Sequence, residues 1–197
     1  MVPVTDGSEQ LSRAMRSLEG AFLLGLEGVT EIWLVRHADC YFEMSDRTDP
    51  PLSSIGRDQA ERLAKRLERT EHAAVYSSPY RRAIETAKAI GYDVQVDDRL
   101  VEMALEVNDD GSLDLREPPA DVLDRMTAAV DEMVERHPGQ RVVAVTHGMA
   151  IMSYLTDVLH LEPGHLRMYP YFTSISIVRA LGDRRMVGAL GDVAHLE

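Results

Sequence analysis

The chain has a single cysteine, few basic residues and no long apolar run, and each of these shortages excludes a class of protein. With only Cys40, its 197 residues form no intramolecular disulfide and no cysteine-rich metal site. The first apolar run, 21–24, is too short for a signal-peptide core or a membrane span, and acidic residues precede it. We therefore expect a soluble cytoplasmic protein without a membrane partner.

Basic residues are outnumbered by acidic ones. Lys and Arg total 21 against 33 Asp and Glu, which gives a formal net charge of −12 at pH 7. A protein that grips nucleic acid through its phosphates needs the opposite balance, and so does one that binds an anionic bilayer. What remains is an ordinary globular composition, 45% hydrophobic and 27% charged, in a length suited to one domain. We expect no nucleic-acid partner.

Short apolar runs alternate with helical periodicity through most of the chain. The runs 32–35, 73–76 and 142–145 are typical of strands buried on both faces, and the amphipathic stretches that follow them predict helices. Segments 173–181 and 184–190 flank a Gly-Asp pair and predict a closing hairpin. The pattern predicts a three-layer α/β/α fold with a mostly parallel central sheet and an antiparallel edge strand. Ligands of such sheets bind at the carboxyl ends of the parallel strands.

Two segments fall outside this alternation. Apolar residues from Leu11 to Phe22 recur at steps of four, three and four, which predicts an amphipathic helix. It belongs to an N-terminal extension, 1–28, ahead of a single domain, 29–197, and it either packs on that domain or docks on a partner subunit, as in a homodimer. Residues 104–120 have no clear period and are predicted to form a long acidic loop.

Reactive side chains follow three of the predicted strands. They are Arg36-His37 after the first strand, Arg81-Arg82 at the start of the helix after the second, and His147-Gly148 after the third. Neutral imidazole is a nucleophile that works at pH 7, and guanidinium groups match the geometry of phosphate oxygens. We expect the helix starts after Pro79 and Gly148 to add backbone N–H groups directed at a bound anion.

The positions of three other histidines and two tyrosines also lead to expectations. His72, His137 and His195 fall in turns or in the C-terminal tail, where we expect solvated side chains. Tyr169 and Tyr171 lie just before the closing hairpin. They either border a pocket or pack against the edge of the sheet.

Four stretches follow one another in a recognisable order. They are LVRHA at 34–38, LSxxGxxQA at 52–60, SSPYRRA at 77–83 and VTHG at 145–148. Together they resemble the histidine phosphatase superfamily, which includes the phosphoglycerate mutases, over about 31–180. The resemblance implies the phosphoglycerate mutase-like version of the α/β/α fold.

The resemblance also implies a role for each reactive residue. His37 would be the nucleophile that accepts the phosphoryl group, and Glu102 the general acid for the leaving oxygen. The phosphate-binding residues would be Arg36, Arg82, His147 and Gly148, of which the first three also belong to the catalytic set. Arg81 would lie outside the pocket or at its rim.

The implied activity is hydrolysis of phosphomonoesters through a phosphohistidine on His37, without a metal ion or cofactor. The substrate would be a small phosphorylated metabolite or a phosphoprotein. Three alternatives stay open. They are a protein phosphohistidine phosphatase, which needs no general acid because its leaving group is an imidazole, a phosphoglycerate mutase-type phosphotransferase, and a catalytically silent phosphate-binding module.

Two departures from the mutase pattern favour hydrolysis over transfer. Mutases of the family follow the Arg-His motif with a Trp-Asn pair, whereas this chain has DCYFE at 39–43. They also place Arg-x-Tyr after the acidic residue, where this chain has MAL at 103–105. If the acidic segment after Glu102 covers the site, it would favour one phosphomonoester on a mostly neutral body; otherwise it is a solvated loop.

Overall fold

The apolar runs become the central strands of a six-stranded sheet in the computed structural model, which describes residues 7–40, 49–91 and 93–197. In chain order the elements are α1 (Gly7–Ala21), β1 (Thr30–Arg36), α2 (Ser54–Leu67), β2 (Ala74–Ser77), α3 (Arg81–Ile90), β3 (Val94–Val96), a 3₁₀ turn (Asp98–Leu100), β4 (Leu105–Val107), β5 (Leu113–Leu115), α4 (Pro119–Arg136), β6 (Arg141–Thr146), α5 (Gly148–Val158), β7 (Ile175–Leu181), β8 (Arg184–Asp192) and a final 3₁₀ turn (Ala194–Leu196).

The sheet has the predicted mixture of strand directions. Its order is β3-β2-β6-β1-β7-β8, and the first four strands run parallel. The predicted closing hairpin, β7 and β8, adds two strands at one side, with β7 antiparallel to β1. The predicted α/β class, with a mostly parallel sheet and an antiparallel edge, is confirmed.

Helices cover the sheet on both faces. On one face α4 and α5 contribute buried residues such as Met126 and Ile151, which pack on Ile32 of β1 and its neighbours. On the other face α2 and α3 place Leu63 and Ala87 against the strands. Burial on both faces explains why the central strands are continuous apolar runs instead of alternating ones.

The start of α2 is built around the backbone of Asp39. Ser53 is the N-cap, as its residue type predicts, and its hydroxyl accepts the N–H of Gly56. The Asp39 carbonyl accepts the N–H of Ser53 at 3.0 Å, and the Gln59 side chain accepts the Asp39 N–H at 2.9 Å. These bonds explain why Ser53, Gly56 and Gln59 stand together at 52–60.

The apolar side of α1 does not pack on the described part of the chain. Leu11, Met15, Leu18 and Phe22 are 65%, 48%, 54% and 54% exposed. The C-terminal end of the helix is held by the Arg184 guanidinium, which donates to the Ala21 carbonyl at 2.7 Å. The predicted helix is confirmed. Packing of its apolar face on the domain is not observed among the described residues, and docking on a partner subunit stays a prediction.

The prediction of an unbroken acidic loop over 104–120 is wrong. Strands β4 and β5 pair antiparallel there, and Gly111 in the connecting turn has a φ of +82°. Each strand has three residues, too few for a period-2 pattern to be distinguished from a loop. No helix of the described residues is long and apolar enough to cross a bilayer.

Gly56 has no room for a side chain. A Cβ added there would lie 2.0 Å from the Asp39 carbonyl oxygen. We expect Gly56→Ala to lower the free energy of unfolding by about 1–3 kcal/mol, as overpacking against a fixed backbone does. Urea unfolding measures the change. Gly91→Ala is the matched control, because its Cβ would meet only a Val75 methyl group at 3.5 Å. Equal effects of the two substitutions would contradict the close approach at Gly56.

Candidate active site

The carboxyl ends of three parallel strands bring the predicted site residues to one rim. Arg36 at the end of β1 pairs in register with Thr146 of β6, and Ser77 of β2 pairs with Val145. The chain then leaves each strand toward a helix, so that the residues just beyond the strands lie side by side. The His37 N–H donates to the Thr146 carbonyl at 2.9 Å, which fixes the first histidine against β6.

His37 is buried and held in one tautomer. Its Nδ1 lies 2.8 Å from the carbonyl oxygen of Ala38, an acceptor, so Nδ1 carries the proton. Its Nε2 lies 3.3 Å from Nε of Arg82, a donor, and therefore presents a lone pair. A neutral imidazole with a free electron pair at Nε2 is the form that attacks phosphorus.

Burial and two neighbouring cations keep both imidazoles of the site neutral. Burial, followed by the charges of Arg82 and Arg36, lowers the pKa of His37 to about 3, although the Ala38 carbonyl acts in the opposite direction. Burial, with His37 and Arg82 beside it, places the pKa of His147 well below its usual range. The two rings are 5.0 Å apart between centroids.

Arg82 lies between the two histidines. Its Nη2 is 3.4 Å from Nδ1 of His147, whose Nε2 lies 2.8 Å from the Ser78 hydroxyl. The guanidinium also stacks on the ring of Tyr80, with 4.6 Å from Cζ to the ring centroid. A carboxylate of Asp49 faces the same guanidinium, with Oδ1 3.7 Å from Nη1. Arg82 is therefore a buried cation that contacts two neutral nitrogens.

Arg36 is enclosed by the segment that precedes β7. Its guanidinium stacks on Phe172 at 4.0 Å and on Tyr169 at 4.6 Å, and Nη1 donates to the Pro170 carbonyl at 2.7 Å. Its Nε is buried and has no hydrogen-bond partner among the described residues. Aromatic stacking of this kind orients a guanidinium without neutralising its charge.

Glu102 follows the first 3₁₀ turn and packs against the N-terminal end of α5. It is half-buried and not a surface residue. Its Oε1 accepts the N–H groups of Met103 and Ala150 at 2.9 and 3.0 Å, and Oε2 accepts that of Met149 at 3.2 Å. Burial raises the pKa of Glu102, while these three bonds and the charge of Arg36 act in the opposite direction, with a net rise. The carboxyl group therefore lies within electrostatic reach of Arg36, the predicted phosphate-binding arginine.

Comparison with known proteins agrees with this constellation. The family model described as histidine phosphatase superfamily (branch 1) matches residues 32–116 and 106–193, most of the chain. The chain belongs to the histidine phosphatase superfamily. A phosphoglycerate mutase-like protein 4 of Arabidopsis thaliana is 28% identical over 203 residues, which covers 85% of this chain and 87% of the relative.

Solved structures of the superfamily share the fold. Bacillus stearothermophilus YhfR aligns with a TM-score of 0.74 and 31% identity, over 85% of this chain and all of that one. A phosphoserine phosphatase mutant from Entamoeba histolytica aligns with a TM-score of 0.73 at 19% identity, over 85% and 100% of the two chains. The phosphoglycerate mutase-like architecture predicted from the sequence is confirmed.

Some of the N–H groups predicted to point at an anion are occupied by the protein itself. The N–H groups of Met149 and Ala150 in α5 are taken by Glu102, and the Arg81 N–H in α3 donates to Asp49 at 2.7 Å. Both helix N-termini therefore bind carboxylates of the protein itself. A role in anion binding for the remaining N–H groups of these helix starts stays a prediction.

The Tyr169 ring leaves no room for a side chain at position 148. A Cβ at this position would lie 2.8 Å from Cζ and Oη of Tyr169, so any larger residue would displace the ring that stacks on Arg36. This contact settles where Tyr169 lies, beside the site and not simply at the sheet edge. Tyr171 is exposed. A role for Gly148 in phosphate binding stays a prediction.

Four residues that contact the site side chains escaped the sequence analysis: Asp49, Ser78, Tyr80 and Phe172. Of these, Ser78 and Tyr80 stand inside the SSPYRRA stretch and could have been found there. Asp49 and Phe172 carry no local signal. Arg81 points away as predicted, since its Nε pairs with Glu85 at 2.7 Å on the exposed side of α3. Tyr41, Phe42 and Glu43 lie outside the described residues.

The buried neutral state of His37 predicts a pH effect on stability. An unfolded histidine takes up a proton below a pKa of about 6.5, whereas folded His37 remains neutral to about 3. The unfolded chain then binds more protons, so acid lowers the free energy of unfolding by up to about 1.4 kcal/mol per pH unit for this residue. We expect His37→Gln to reduce that slope by about this amount between pH 6 and pH 5 in urea titrations.

The matched control is His165→Gln, because the His165 side chain is exposed. It should keep the wild-type slope. A His37→Gln slope equal to that of the control would contradict the neutral buried imidazole.

Proposed function

We propose that the chain is a metal-independent phosphomonoester hydrolase that works through a phosphohistidine on His37. The observation that carries the proposal is the fixed tautomer of this histidine. The Ala38 carbonyl holds the proton at Nδ1, which leaves the Nε2 lone pair beside the guanidinium of Arg82. The site is therefore prepared for attack by nitrogen on a phosphate that replaces His37 as the partner of Arg82.

The first step forms a bond from Nε2 of His37 to phosphorus and breaks the bond from phosphorus to the ester oxygen. Arg36, Arg82 and His147 stabilise the charge on the equatorial oxygens, which is the main contribution in a loose phosphoryl-transfer transition state. In the second step water attacks the phosphohistidine, releasing inorganic phosphate and restoring the neutral imidazole. Both steps use groups that already meet at the rim of the sheet.

Glu102 supplies the proton for the leaving alcohol in this proposal. Both lone pairs of Oε1 are occupied by backbone N–H groups, whereas Oε2 accepts one such bond from the described residues. The acid proton is therefore on Oε2. The same carboxylate receives the proton of the attacking water in the second step, which restores the acid.

A specific observation also supports a second candidate function, a protein phosphohistidine phosphatase. Three N–H groups donate to Glu102, an arrangement that stabilises the ionised carboxylate. An ionised Glu102 is no obstacle when the leaving group is an imidazole. The two functions differ in whether Glu102 donates a proton.

Substitution of Glu102 separates these functions. We expect Glu102→Gln to lower kcat for an alkyl phosphate roughly 10²–10⁴-fold, the usual contribution of a general acid. The effect on p-nitrophenyl phosphate should be much smaller, because its leaving group needs no proton. Steady-state phosphate release measures both. Equal activity of Glu102→Gln and wild type on alkyl phosphates, with turnover of a phosphohistidine peptide, would favour the second candidate.

The covalent intermediate is tested on the same substrates. Rapid acid-free quenching should trap a phosphate label that is stable to base and labile to acid, and His37→Ala should abolish both the label and turnover. Absence of label and of phosphate release across metabolites and phosphopeptides would instead identify a silent phosphate-binding module. Net transfer of phosphate to a sugar phosphate would identify a mutase.

Asp49 favours a substrate with one phosphomonoester on a mostly neutral body. Its carboxylate lies beside Arg82 and is held by the Arg81 N–H, so it places a negative charge next to the proposed phosphate site. Repulsion of a second phosphate near this group costs on the order of 1 kcal/mol in solvent-like surroundings.

We therefore expect Asp49→Asn to raise kcat/KM for a bisphosphate about fivefold relative to that for a monophosphate, in proportion to this repulsion. Asn retains the acceptor for the Arg81 N–H and removes the charge.

Asp183→Asn is the control, because the turn between β7 and β8 lies at the opposite end of the sheet. Asp114→Asn on β5 tests the hairpin: it changes the ratio only if the hairpin closes over the site. An unchanged ratio in Asp49→Asn would contradict the proposed selectivity.

A further inference from the structure

His195 is not the solvated tail residue that its position predicts. It is half-buried, and its Nε2 lies 2.9 Å from the hydroxyl of Thr173. Its Nδ1 lies 3.4 Å from Nη1 of Arg66 on α2. Burial and then the charge of Arg66 lower the pKa of His195 to about 4, so the ring is neutral. The C-terminal turn is thus linked to the segment that encloses Arg36.

Each hydrogen bond in this series has a defined donor and acceptor. Arg66 only donates, so Nδ1 of His195 accepts and the proton is on Nε2. Nε2 then donates to the Thr173 hydroxyl, which donates in turn to the Phe172 carbonyl at 2.7 Å. The chain of donors runs from α2 through the C-terminal turn to the residue whose ring stacks on Arg36.

Asp192 fixes the start of this chain. Its carboxylate pairs with the Arg66 guanidinium, with Oδ1 3.1 Å from Nη1 and a second contact between Oδ2 and Nη2. The same Oδ1 accepts the N–H of Ala194 at 2.9 Å, which begins the 3₁₀ turn that carries His195. Asp192 therefore positions both the Arg66 guanidinium and the turn that carries His195.

Thr173 needs such support. It is fully buried and has a φ of +57°, a left-handed conformation that is costly for a β-branched residue. In that conformation its N–H donates to the Arg36 carbonyl at 3.0 Å, and the Phe172 ring lies 5.7 Å from the ring of His37. Strain held in place by surrounding bonds, next to reactive groups, is typical of functional sites.

We propose that His195 is a positioning residue for the reaction: by donating to Thr173 it holds Phe172, and through Phe172 the guanidinium of Arg36, in the orientation that binds the transferring phosphoryl group. The proposal rests on the proposed function, because it assigns Arg36 to phosphate. His195 itself does not contact the site histidines. Its effect reaches the reaction only through residues 172 and 173.

A pair of substitutions of similar size tests the donor. His195→Met fills the space without an N–H, whereas His195→Gln retains one that can reach Thr173. We expect His195→Met to lower kcat/KM for a phosphomonoester roughly 10- to 100-fold, the cost of a small misplacement of a phosphate-binding group. His195→Gln should recover to within about threefold of wild type.

Orthovanadate distinguishes positioning from a general loss of structure. Partial unfolding lowers kcat in proportion to the folded fraction and leaves the inhibition constant of vanadate unchanged. A displaced Arg36 weakens binding of this transition-state analogue, so we expect the vanadate inhibition constant of His195→Met to rise about as much as kcat/KM falls. An unchanged inhibition constant in His195→Met would overturn the proposal.

Thr173→Gly tests the route, since glycine adopts a positive φ without the side-chain cost. If His195 acts through Thr173, adding His195→Met to Thr173→Gly should change kcat/KM by less than twofold. A full, multiplicative loss in the double variant would contradict this route. His165→Met, at an exposed position, is the control and should match wild type.

The two proposals fail in different ways. Wild-type protein that releases no phosphate from any phosphomonoester contradicts the proposed function, and the vanadate measurement, made by calorimetry, then decides the role of His195 alone. Active wild type with an equally active His195→Met contradicts only the positioning role.

Discussion

The site depends on a buried guanidinium that contacts two neutral imidazoles. Arg82 lies against Nε2 of His37 and Nδ1 of His147, and either ring would be repelled by it if protonated. Because a buried cation with incomplete pairing is costly, the surrounding groups are arranged to tolerate it. Ser78 fixes the outer nitrogen of one imidazole, the Ala38 carbonyl fixes that of the other, and Asp49 supplies partial compensation from the rim. Under the proposed function, an incoming phosphate dianion would complete the pairing that the described residues leave incomplete.

Arg36 is held by a different principle. It lies between two aromatic rings and donates to a carbonyl, so its orientation is fixed while its full charge remains available. Each cation–π contact contributes about 0.5–2 kcal/mol, depending on how far the guanidinium is desolvated. This arrangement places two requirements on nearby residues. Position 148 must lack a side chain, and Thr173 must adopt a left-handed backbone conformation. A missing side chain at position 148 and a left-handed backbone at position 173 therefore serve one side chain.

Much of this arrangement could be predicted from the sequence because it depends on periodicity. Continuous apolar runs identified β1, β2 and β6, and parallel strands necessarily bring their carboxyl ends, and so Arg36, His37 and His147, to one rim. What the sequence did not show depends on contacts between remote segments. Phe172 and His195 have no pattern that relates them to Arg36, and the three-residue strands β4 and β5 are too short to produce one. Exposure of the α1 face is likewise a property of the whole molecule, since the same period suits a buried helix.

The placement of carboxylates at the two helix starts changes how the site can hold an anion. In many phosphate sites the N–H groups of a helix N-terminus bind the ligand directly. Here Glu102 occupies those of α5 and Asp49 binds one of α3. A negative charge at each helix start satisfies these backbone N–H groups, and the proposed mechanism assigns the phosphoryl group to the side chains of Arg36, Arg82 and His147. The arrangement also places the Glu102 carboxyl group, which accepts N–H groups of α5, within electrostatic reach of Arg36. In the proposed mechanism the start of α5 therefore orients the acid, and phosphate binding is left to other groups on the same rim.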